Sequence, residues 1–141
     1  ILYQEHAKKA GIKINVVREP SDGYWSNVWT VKEFVMCYWS GRPTEDLMFS
    51  IAYAAGGPWN DTKWNNKKFN QLLVAARAEL DEKKRAQMYA EMQEICKDDG
   101  GTIVPMFAQI VEASSDKIGH GTISGHMEAD GQRNAERWWF K

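Results

Sequence analysis

An α/β fold is the class this sequence predicts, and three observations carry it. Segments of helical periodicity alternate along the chain with short apolar runs rich in Ile and Val. One of those runs, FVMCYW at 34–39, is apolar almost without interruption, the pattern of a strand covered on both faces. The order helix, strand, helix, strand, helix, two helices, strand is that of a layer built on a mainly parallel sheet.

Each element has its own justification. Residues 2–10 read as the end of an amphipathic helix, with Gly11 as its C-cap. IKINVVREP follows, a strand with Ile12, Ile14 and Val16 on one face, closed by Pro20. Behind Asp22, the spacing of Tyr24, Trp25, Val28 and Trp29 predicts a short helix. The run 34–39 is the second strand. Thr44 caps the next helix, where Glu45 and Asp46 suit the positive end of the dipole. Its buried stripe is expected at Met48, Ile51, Ala52 and Ala55. After a loop rich in Gly, Pro and Asn, residues Phe69, Leu72, Leu73, Ala76 and Leu80 repeat at helical spacing. Asp81 caps a further helix through Arg85, Met88, Tyr89, Met92, Ile95 and Cys96, ended by Gly100 and Gly101. TIVPMFAQIV at 102–111 returns to strand character, and the last four residues suggest a terminal strand carrying Trp138, Trp139 and Phe140.

Composition narrows the function classes. The 141 residues are 43% hydrophobic and 26% charged, ordinary values for a globular domain. That length suits one domain burying roughly 68% of its unfolded surface. A net charge of −1 gives no overall field favouring nucleic acid or an anionic membrane. No apolar run approaches the ~20 residues of a membrane span. Cys37 and Cys96 show no metal spacing and read as buried free thiols. Seven tryptophans are many for this length, and such rings serve both cores and ligand surfaces. The chain begins within a helix, without an initiator Met, so upstream sequence is expected.

In open α/β sheets, ligands lie beyond the carboxyl ends of strands. The WSGRP corner ends the second strand. There Trp39 can stack on a ligand, Ser40 and Gly41 can offer polar and backbone contacts, and Arg42 can hold a carboxylate. A core Trp, a turn Gly and a solvated Arg would leave the same pattern. His120, His126 and Glu128 suggest zinc, but the histidine spacing puts them on no common helix face, and no metal or other cofactor is expected. There is no nucleophile elbow and no phosphate loop, so no enzyme activity is expected.

Taken together, Trp39-Ser40-Gly41, the stretch Trp64-Asn65-Asn66 through Leu72-Leu73, the spacing of Asp81, Arg85, Tyr89, Met92 and Ile95, and Ile103-Val104-Pro105-Met106-Phe107 resemble the C-terminal part of family 5 extracytoplasmic solute-binding proteins of ABC importers. This is the dipeptide, oligopeptide and nickel-binding class. The ending Glu136 to Phe140 is similar to one bacterial branch of it.

The resemblance implies a type II periplasmic-binding-protein fold. Residues 1–108 would end the second α/β lobe, and 109–141 would form a hinge crossing and a tail belonging to the first lobe. It further implies a periplasmic or other extracytoplasmic location, a peptide or small anionic ligand and a membrane permease as partner. The remainder of the first lobe would be a second partner, and nucleic acid none. The fragment alone would dimerise or exchange its tail. Trp39, Ser40, Gly41 and Arg42 would line the cleft, with Asp46 and Phe107 as further ligand residues. Arg42 stands where peptide-binding members carry an aspartate, which favours an anion over an ordinary peptide amino terminus. A self-contained α/β interaction module is the alternative.

Overall fold

The computed structural model describes residues 1–125 and 127–141, and the chain divides into two units, Ile1–Cys37 and Tyr38–Lys141. The expected boundary at 108/109 falls inside the second unit.

In the first unit, α1 (Leu2–Lys9) ends at Ala10, and Gly11 follows at φ +78°. The Gly11 amide donates to the Lys8 carbonyl and the Ile12 amide to the Ala7 carbonyl, each at 3.0 Å. This paired closure needs a left-handed residue, which glycine adopts freely. The Gln4 side chain donates to the Ile14 carbonyl at 2.8 Å, tying the following segment back to α1. The helix α2 (Tyr24–Asn27) is a single turn whose aromatic face stacks edge to face, Trp25 against Tyr24 and Trp29. Val28, just beyond it, is buried.

The second unit holds the main core. Thr44 caps α3 (Glu45–Met48) by accepting from the Leu47 amide. The helix then widens into a π-helical turn, Phe49–Tyr53, where the Ala54 amide reaches back five residues to the Phe49 carbonyl. The extra residue rotates the buried stripe. Phe49 and Ala52 point inward, while Met48 and Ile51 are only half-buried and Ala55 is exposed. Next come α4 (Lys67–Ala78), capped by the Asn66 side chain on the Phe69 amide, and α5 (Glu82–Asp99), capped by Asp81 on the Lys83 and Lys84 amides. The two pack through Phe69, Leu73, Ala76 and Met92, with Phe49 from the π turn. Each fully buried large side chain stabilises the fold by roughly 1.5–3 kcal/mol. Leu80 lies past the end of α4 and is exposed.

At the C-terminus, β1 (Ile118–His120) pairs antiparallel with β2 (Trp138–Phe140), Gly119 opposite Trp139. The terminal strand therefore forms, docked on β1, with Trp139 and Phe140 still exposed. Between the strands lie α6 (Glu128–Gln132) and α7 (Asn134–Arg137). The first of these is left-handed, with positive φ at Ala129, Asp130, Gly131 and Gln132.

The three internal strands expected from the sequence do not form. Residues 12–17, 34–39 and 102–111 lie in neither helix nor ladder, and the ladder between β1 and β2 is the one present among the described residues. The reason is physical: a strand completes its hydrogen bonds only against a neighbour, and among the described residues no segment pairs with these three in a ladder. No helix among the described residues is long and apolar enough to cross a membrane.

Candidate functional site

The corner that the sequence singles out is built by two pieces of the second unit. One is the segment 39–42, held just ahead of the Thr44 cap. The other is the loop after the π turn, which carries Trp59. That loop folds tightly because Gly57 sits where any Cβ would meet the Ser50 carbonyl at 2.7 Å and the Ile51 carbonyl at 2.8 Å. The Trp59 amide donates to the Ile51 carbonyl at 3.0 Å. Asn60 then pins the loop, its amide nitrogen donating to the carbonyls of Ala54 and Trp64 at 3.1 and 2.8 Å.

These constraints bring Trp59 against Trp39, ring centroids 5.9 Å apart and planes tilted by 57°. The Arg42 guanidinium lies over both indoles, 5.8 Å from Trp39 and 5.9 Å from Trp59. The three groups thus form a nearly equilateral triangle. The rings touch one another, so nothing can insert between them; the cation caps the pair. Such contacts are worth about 0.5–1 kcal/mol each at exposed sites. One guanidinium nitrogen, Nη1, donates to the Ser40 and Gly41 carbonyls at 3.0 and 3.1 Å. Among the described residues no carboxylate lies within ion-pair distance of Arg42. The result is a positive charge stiffened by two aromatic faces and its own backbone, with donor capacity left over.

Of the expected ligand residues, Trp39, Ser40, Gly41 and Arg42 therefore come together. Asp46 is engaged elsewhere. It accepts from Arg77 Nε at 2.8 Å and from the Tyr89 hydroxyl at 3.2 Å, while Arg77 also donates to the Ser50 hydroxyl. The Arg77 hydrogen bond and charge hold the Asp46 carboxyl below its usual range. Burial, followed by the Asp46 charge, pushes the Tyr89 phenol up. Phe107 is 93% exposed and makes no ring contact among the described residues.

Neither a family model, nor a curated protein, nor a solved structure matches this chain.

Of the residues weighed as metal ligands, His120 and Glu128 have local contacts. His120 lies against the Trp138 ring, with Nδ1 2.9 Å from the Gly121 carbonyl, and Glu128 accepts from Gln132. His126 lies outside the described residues, and no group of three metal-ligating side chains occurs among the rest. Burial raises the Cys96 thiol to about 11, so it stays protonated at neutral pH; both cysteines are unbridged. Trp59 is the residue that sequence reading missed. Its signal was the Gly-Gly-Pro turn directly before it, which marks a fold-back but not its destination.

Proposed function

We propose that this chain is the C-terminal part of an extracytoplasmic solute-binding protein of an ABC importer, with an α/β fold of the type II periplasmic-binding class. It captures a small anionic or peptide-like solute for delivery to a membrane permease. The observation that carries the reading is Arg42, fixed over Trp39 and Trp59 with no carboxylate partner among the described residues. A guanidinium so placed receives a ligand carboxylate through its unused N–H groups, and the indole edges give the ligand apolar contact. Binding needs no covalent step, because hydrogen bonds, one charge and aromatic area hold the solute while a second lobe excludes water. The three strand-patterned segments, in no ladder among the described residues, support a sheet completed by further chain.

The test is Arg42→Ala in the full-length receptor, with affinity for short peptides and dicarboxylates measured by calorimetry. A loss of about 2–5 kcal/mol is expected where the ligand anion pairs with the desolvated guanidinium. An unchanged dissociation constant rejects the assignment.

The exposed apolar segment 102–111 favours one other reading, a protein-interaction module complete in itself. It predicts no solute binding by the wild-type protein at any concentration.

A further inference from the structure

The segment 102–111 is the largest uncommitted feature of the second unit. Its large apolar residues, Ile103, Val104, Met106, Phe107, Ile110 and Val111, are all more than half exposed. Among the described residues, none of its backbone groups is hydrogen-bonded. The chain exposes 11283 Å² in all. A compact monomer of 141 residues exposes about 7,500 Å², and two separate globules the size of the two units roughly 8,800 Å² together. The excess is at least roughly 2,500 Å². That excess is spread over the whole chain, and 102–111 is one uncharged exposed stretch of it; obligate dimers bury about 1,000–2,500 Å² per partner, so covering part of the excess is enough for a stable one.

We propose that 102–111 pairs antiparallel with the same segment of a second copy, about a two-fold axis at Phe107. Two properties of the segment fit pairing with its own copy. It contains no charged residue, so self-pairing sets no like charges opposite one another. It also contains Pro105, which has no N–H to donate and therefore must occupy a non-hydrogen-bonded position. A two-fold axis on Phe107 meets that condition. Phe107 then faces Phe107 of the second copy as a non-hydrogen-bonded pair, as do Pro105 with Gln109 and Ile103 with Val111. Met106 with Ala108 and Val104 with Ile110 carry the ladder bonds. Every residue in the ladder pairs is able to donate. This inference does not depend on the proposed transport role.

The 141-residue chain should sediment as a dimer. Phe107→Asp places two carboxylates against each other on the axis and should weaken dimerisation at least tenfold, about the least that juxtaposed like charges cost. Leu80→Asp, at an equally exposed apolar site outside the segment, should leave it unchanged. Register is read by oxidation. Phe107→Cys should crosslink between copies, because non-hydrogen-bonded partners lie about 4.5 Å apart at Cα, within disulfide range. Met106→Cys should crosslink poorly. Peptide mapping separates these links from any at Cys37 or Cys96. A monomer at all concentrations overturns the proposal, including one that binds phosphatidylcholine vesicles instead. So does a dimer indifferent to Phe107→Asp, or one that crosslinks equally at both positions.

Discussion

Asp46 shows how a single side chain can carry the reading of a sequence in one direction and the fold in another. At the start of a helix it reads as a dipole partner or a cleft acid. In the fold it is the shared acceptor of Arg77 and Tyr89, which lie 31 and 43 residues away in sequence. Partners that distant leave no local signal. The same distance hid Trp59 from the Trp39–Arg42 corner, whereas the corner's own four residues were legible because they are contiguous. The Asp46 cluster has a consequence in acid. Its carboxyl titrates below the ordinary 3.8, chiefly through the Arg77 hydrogen bond and despite some desolvation. The unfolded state therefore binds the proton more tightly, and the group's stabilisation is present above pH ~4 and lost as pH falls through its lower folded value. Asp99, held down by Asn66 and Trp64, and Asp130, held down by the Ser124 amide, act in the same direction. Urea unfolding followed from about pH 7 to pH 2 should show stability falling on the acid side. Asp46→Asn should lower stability at neutral pH and flatten that acid slope. An unaltered slope would mean that Asp46 takes no part in it.

Among the elements, legibility followed locality. The helices α4 and α5 were readable because their stripes, and the Asp81 cap, lie within a few residues. The helix after Thr44 was readable in its start and misphased beyond it, since nothing in the periodicity announces a π turn. Segments 12–17, 34–39 and 102–111 have the composition of strands, but a strand's existence depends on its neighbours. The left-handed α6 was invisible for another reason: Ala129 and Gln132 have no preference for that conformation. L-residues pay about 1–2 kcal/mol each to adopt it. The turn is held by Asp130, 2% exposed, which accepts from the Ser124 amide and the Trp138 indole and pairs with Arg137 at 2.9 Å. Ala129, at φ +52°, is engaged through its backbone, its amide donating to the Glu112 carboxylate and its carbonyl accepting from the Arg133 amide at 3.1 Å. Ala129→Gly relieves the strain and should stabilise the second unit by about 1 kcal/mol, net of the entropy glycine adds to the unfolded chain. Thermal unfolding of the two proteins side by side tests this; a lower midpoint for the variant would show that the left-handed turn is not strained.

At the scale of the whole molecule, the account joins two findings. The second unit has a helical core, and three strand-patterned segments lie outside any ladder among the described residues. Both follow if these residues complete a larger receptor, one whose remaining lobe covers segments 12–17 and 34–39 and faces the Arg42 corner. The most direct measurement is mass spectrometry of small molecules released on denaturing the full-length gene product after mild purification. The account predicts a stoichiometric peptide or small carboxylate, lost in the Arg42→Ala variant. A full-length product that carries only cationic solutes, or the same solute with or without Arg42, would contradict it.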